Sequence, residues 1–140
     1  MRGVAITGVG QVKVGENWET SLRELAYQSI REAVKDSGAD RIDALYVGNM
    51  LGGELSGQEH LGALISDYCG FDGIEAVRVE AASASGGAAL RQGFISVASG
   101  VHDTVVVTGV EQMTDVLQDK VTLGLSLSLD SEYELSLIHI

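Results

Sequence analysis

Basic side chains are scarce in this chain of 140 residues. Nine Lys plus Arg face twenty Asp plus Glu, leaving a formal charge of −11. Nucleic acid and anionic membrane surfaces both require a basic face, so neither is expected as a partner. Cysteine is scarcer still. Cys69 stands alone, which excludes an internal disulfide framework and any multi-cysteine metal site. Its place at the end of a helical pattern, just before Gly70, suits a small, buried, inert thiol. The three histidines are widely separated and form no His-x-x-x-His pair, so no metal site is expected. No uncharged apolar run approaches the roughly 18 residues that a membrane helix requires. The opening Met-Arg-Gly-Val-Ala-Ile-Thr-Gly lacks the apolar core and cleavage site of a signal peptide. The expectation is one globular, cytoplasmic unit.

What is present is organised around residues 77–100, VRVEAASASGGAALRQGFISVASG. A short β-branched run gives way to Glu80, then to small residues, then to a helical pattern from Ser85 to Ser99 that stops at Gly100. Such a strand-to-helix corner offers its side chains and the free N–H groups of the helix start to whatever lies above the sheet. Ser83 and Ser85 sit at that corner. Within the helix, Ala88, Ala89, Leu90, Phe94, Ile95, Val97 and Ala98 cover most of the circumference, and only Arg91 and Gln92 are strongly polar. A helix that is apolar nearly all round must be buried nearly all round. One small sheet covers only one side of it, so a second layer is implied.

The rest of the chain alternates strand and helix. Residues 4–9 read as a buried strand entering a tight turn. Gly8 and Gly10 do not open a dinucleotide loop, because the third glycine of G-x-G-x-x-G would fall at Lys13 and no helix begins there. Ser21-Leu22-Arg23-Glu24 has the form of a capping box. The helix it opens carries Leu22, Leu25, Ala26, Ile30, Ala33 and Val34 on one stripe and stops at Gly38. A strand is predicted over residues 42–47, a glycine-rich loop over 48–53, a helix over 58–68, and strands over 77–79 and 104–108. That alternation predicts an α/β fold with a mainly parallel sheet in the order βαβαβαβ. Contiguous valines suit strands covered on both faces. Beyond Met113 the pattern degrades into an acidic stretch with a Leu-Ser alternation over 123–129, read as helical.

With these residues in hand, the chain resembles the N-terminal half of a thiolase, particularly archaeal and bacterial thiolases similar to the sterol-carrier-protein type. Three marks carry the resemblance: Gly48-Asn49-Met50 with Gly57-Gln58, then residues 79–87 (VEAASASGG), then Gly109-Val110-Glu111-Gln112-Met113-Thr114. It implies half of an α-β-α-β-α fold, residues 1–113 forming the first α/β half and 114–135 the start of a loop or lid region. It also implies acyl transfer between coenzyme A thioesters, by Claisen condensation or thiolysis, with acyl-CoA as substrate and no further cofactor. Such proteins form dimers or tetramers, and the archaeal type associates with a small OB-fold protein and the next enzyme of the mevalonate route.

Two departures qualify the resemblance. The family's nucleophilic cysteine falls at Ser83, and a serine hydroxyl is a far weaker acid that needs a strong adjacent base. The family's activating His, second Cys and much of its coenzyme A site belong to a second half that is not found here, so the chain is expected to be inactive by itself. His60 and His102 read as surface or packing residues. Asn49 and Gln58 are expected to shape loops, and Glu80 and Glu111, at strand ends, to be solvated or to orient neighbouring groups. Residues 136–140 break from the pattern and read as a non-native tail. A serine hydrolase is the competing enzyme reading, but residues 81–85 (AASAS) lack both glycines of Gly-x-Ser-x-Gly and no histidine follows in a suitable place. A non-catalytic acyl-CoA-binding or partner-binding protein, in which the corner is a well-packed turn, is the other alternative.

Overall fold

In the computed structural model, residues 2–134 are described. The elements in chain order are α1 (Leu22–Ser37), β1 (Ala44–Gly48), α2 (Gly52–Ser56), α3 (Leu61–Tyr68), β2 (Glu75–Val79), α4 (Ser85–Ser99), β3 (Val105–Gly109) and α5 (Gln118–Ser126). The three strands form one parallel sheet in the order β2-β1-β3. Their ends are in register, Gly48 pairing with both Val79 and Gly109. All three following loops therefore leave from one edge of the sheet.

The two faces of β1 decide the layering. Leu45 and Val47 join Leu22, Ala26, Ile30, Leu61, Ile65 and Val106, so α1 and α3 cover that face. Ala44 and Tyr46 point the other way, packing with Ala89 of α4 and with Val79, Val105 and Val107. β1 is buried along its whole length, as its apolar run anticipates for a strand covered on both sides. A third cluster, Leu51, Leu55 and Val121, seats α5 on α2.

Glycines set the closeness of these layers. A Cβ at Gly62 would lie 2.7 Å from the backbone of Ala76, and one at Gly93 would lie 2.6 Å from Val107 Cγ2. The helices α3 and α4 thus sit nearer the sheet than any side chain at those positions would permit. Buried α4 residues are small: Ser85, Ala89, Gly93, Ser96 and Ala98. Its large residues turn outward, leaving Leu90 53% and Phe94 51% exposed. The all-round apolar pattern thus resolves into a small stripe against the sheet and a large-residue face that the described residues leave uncovered.

Three expectations are corrected. Residues 4–9 form no strand, so the described sheet has three strands rather than four. The segment lies along α1 instead: Val9 N donates to Asp36 Oδ2 at 2.9 Å and Gln11 N to Glu32 Oε2 at 3.2 Å. The missing side chains of Gly8 and Gly10 let the segment lie directly against the α1 backbone, closer than any Cβ there would permit, and away from the sheet. A cleft of about 1270 Å³ lies among this segment, α1, α4 and β3. The capping box is not made. Ser21 accepts the Glu24 and Leu25 amides through its backbone carbonyl and makes no side-chain cap. The helix expected from Gln58 begins at Leu61, because Gln58 N returns to the Gly52 carbonyl to close α2 and His60 adopts φ 60°. Residues 135–140, including the expected tail, lie outside the described residues.

Candidate functional site

The edge of the sheet where the strands end carries three adjoining loops, and the corner after β2 is the most constrained. Ala82 has φ 49°, a left-handed conformation that a residue with a Cβ rarely adopts. The turn is braced by Ser85, which is buried. Its hydroxyl donates to the Ala82 carbonyl at 2.6 Å and accepts from Ala81 N at 2.9 Å. Ala84 N donates to the Ala81 carbonyl at 2.9 Å, and Ser85 N to the Ala82 carbonyl at 3.1 Å. Ala82 N donates to the Glu80 carboxylate. The residues flanking Ser83 thus spend their polar groups holding the corner.

Ser83 itself is exposed, two residues ahead of the first residue of α4. Among the described residues nothing hydrogen-bonds its hydroxyl. No histidine adjoins it by topology. His102 precedes β3, at the opposite edge of the sheet, where its Nδ1 lies 2.7 Å from Ser96 Oγ. His60 begins α3 and is exposed. Ser83 is therefore presented outward without a base among the described residues, while Ser85 is structural. The left-handed Ala82 that lifts Ser83 out carried no signal in the sequence, because alanine gives no hint of positive φ.

The loop after β1 is built around Asn49, which is 2% exposed. Its Nδ2 donates to the Val110 carbonyl at 2.8 Å and to Glu111 Oε1 at 2.9 Å, and its Oδ1 accepts from Gly52 N at 2.9 Å. The other oxygen of Glu111 accepts from Met50 N at 2.9 Å and Leu51 N at 3.1 Å. Asn49 N continues toward the corner strand, donating to the Val79 carbonyl at 3.2 Å. Gly48 completes the arrangement, since a Cβ there would lie 2.8 Å from Gly86 Cα and from the Ser85 carbonyl oxygen. The β1 loop thus touches the post-β3 segment on one side and the start of α4 on the other. Glu111 is a bonded post rather than a solvated strand-end carboxylate. Asn49 shapes the loop as expected, and its role as a buried hub was visible only as a lone amide following a strand and a glycine. Gln58 lies at the far end of α2, its Nε2 donating to the Glu59 carbonyl at 2.6 Å.

Cys69 caps α3 away from the corner, and burial pushes its thiol up to about 11. That agrees with an inert packing residue. Among the described residues there is no cluster of His, Cys, Asp and Glu able to hold a metal ion, and no helix is long and apolar enough to cross a membrane.

The family described as "Thiolase, N-terminal domain" matches residues 3–138. An acetyl-CoA acetyltransferase of Methanothermobacter thermautotrophicus is 46% identical over 136 residues, 96% of this chain and 35% of that protein. An acetyl-CoA acetyltransferase of Methanocaldococcus jannaschii is 49% identical over 136 residues, 96% of this chain and 34% of that protein. Benzoylsuccinyl-CoA thiolase subunit BbsB of Thauera aromatica is 34% identical over 116 residues, covering 81% of this chain and 29% of its own length. The chain spans about a third of the length of the first two of these relatives.

Proposed function

Because the chain belongs to the thiolase family through its N-terminal domain, we propose that it is the first part of an acyl-CoA acyltransferase acting by Claisen condensation or thiolysis, with Ser83 where the family places its nucleophile. The observation that carries this reading is the corner: an exposed Ser83 lifted by a left-handed Ala82 at the start of α4, on the sheet edge where α/β folds bind ligands. The names of the archaeal relatives point to acetyl-CoA as the substrate class. Thiolates are favoured at helix N-termini, but a hydroxyl is not ionised by such a field alone. Turnover through Ser83 is accordingly expected to be severely reduced. Assembly into dimers or tetramers, and association with an OB-fold protein and a mevalonate-route synthase, belong to the same proposal.

A second reading is favoured by the hydroxyl's lack of a base among the described residues: a thiolase-like protein that binds acyl-CoA or a partner without condensing anything. Incubation with acetyl-CoA followed by peptide mass spectrometry separates the two. An acetyl group on the peptide bearing Ser83 supports a reactive site. Saturable binding of the thioester with no adduct supports the non-catalytic reading. Neither adduct nor binding counts against both for this chain.

A further inference from the structure

We infer that Glu111, acting through Asn49, is a positioning residue for the corner that carries Ser83, an inference that rests on the proposed reading of that corner. The carboxylate receives three donors, Asn49 Nδ2, Met50 N and Leu51 N, from a loop that belongs to a different strand. Asn49 is nearly completely buried, and its amide nitrogen and oxygen are both engaged, so it transmits rather than absorbs a displacement of Glu111. From Asn49 the connection is direct. Its backbone amide holds the last carbonyl of β2, at Val79, and the preceding Gly48 lies against the backbone of Ser85 and Gly86. Residues 80–84 are suspended between these two anchored points, the end of β2 and the start of α4. Loosening the β1 loop would slacken both anchors, which otherwise rest on the pairing of Gly48 with Val79 and Gly109. The consequence is chemical as well as mechanical, because a group at position 83 feels the free N–H groups of the α4 start only while the corner holds its place.

A thiol placed at position 83 reports on this. In the chain carrying Ser83→Cys, alkylation by iodoacetamide is followed by peptide mass spectrometry at the introduced thiol and at Cys69 separately, from neutral to alkaline pH. Cys69, half-buried, serves as the internal measure of folding. Adding Glu111→Ala is expected to raise the pH midpoint for alkylation of the introduced thiol and slow its rate at neutral pH by about threefold or more, with Cys69 remaining slow. The sign is diagnostic. Were Glu111 merely a nearby negative charge, removing it would favour the thiolate and lower the midpoint. Glu111→Gln is the variant that keeps the side-chain volume. Its amide group sets an NH2 against donors, so it should move the midpoint the same way by less, and it decides the matter if Glu111→Ala makes Cys69 fast. An unchanged or lowered midpoint in the folded variant overturns the positioning role. If the introduced thiol, before Glu111 is changed, has a midpoint no lower than that of an ordinary thiol, about 8.5, the reading of position 83 is overturned instead.

Discussion

Asp43 shows how much a single side chain fixes at the edge of the sheet away from the corner. Its Oδ2 accepts from the amides of Asp103 and Thr104, each at 3.0 Å, and Oδ1 pairs with Arg41 Nε at 2.9 Å. The two backbone N–H groups, Thr104 first, hold its carboxyl below the ordinary 3.8, and Arg41 adds to this. A carboxyl with a depressed folded pKa contributes stability above its unfolded value and loses it as pH falls through the folded value. Asp43→Asn should therefore lower the urea midpoint at neutral pH, and the difference from the parent should narrow progressively as pH falls through 3.8 toward the lower folded value. A difference that is constant across that range would remove the ionised carboxylate from the account. Cys69 offers a second check. With its thiol pushed up from 9.0 to about 11, its thiolate fraction near neutrality falls by roughly a hundredfold, but a more basic thiolate is the better nucleophile, so disulfide exchange with a small aromatic disulfide should be slower than in the urea-unfolded chain by about tenfold or more. The inertness of Cys69 was readable from its setting between a helical stripe and Gly70. The partners of Asp43 were not, because they lie some sixty residues away in sequence.

At the scale of elements, contact between the end of β1 and the start of α4 depends on Gly48. Adding a methyl group there places a carbon 2.8 Å from the Gly86 Cα and the Ser85 carbonyl oxygen, both backbone atoms that cannot rotate away. Gly48→Ala should cost about 1–3 kcal/mol in equilibrium unfolding, and hydrogen exchange should rise at Ser85 and Gly86 more than along α1. Exchange that rises evenly would place the strain elsewhere. Helix α4 was legible from Ser85 to Ser99 because a long apolar run ends at Gly100, and α1 because its apolar stripe from Leu22 ends at Gly38. The capping box was misleading because Ser21 satisfies the first turn with its carbonyl. The N-terminal segment was misleading for another reason. Its weak alternation is compatible with a strand, but Gly8 and Gly10 let it lie against α1, where Asp36 and Glu32 take the amides of Val9 and Gln11, and that contact depends on where α1 lies. The corner was legible as a strand, a run of small residues and a helix. The Asn49–Glu111 link was not, since it joins residues 62 apart through one side chain.

For the molecule as a whole, the consequence is an unbalanced surface. Leu90 and Phe94, half exposed on α4, lie with Val77 and Ile95 among the exposed large apolar residues. An apolar face of this kind on a folded chain marks a contact surface or an aggregation liability. Binding of a hydrophobic fluorescent dye is expected, and Leu90→Lys with Phe94→Lys should reduce it markedly with little change in the urea midpoint, because neither side chain is buried. A dye-silent parent would mean that the face is covered in solution.

The chemistry of position 83 can be read in a chimera. The matched first third of the Methanocaldococcus jannaschii acetyl-CoA acetyltransferase, 49% identical over 136 residues, is replaced by this chain, once with Ser83 and once with Ser83→Cys. Condensation of acetyl-CoA is then measured in both. The cysteine version is expected to turn over more than about tenfold faster than the serine version, because only a thiol is ionised readily enough at the start of α4. A serine version within about tenfold of the cysteine version would contradict it.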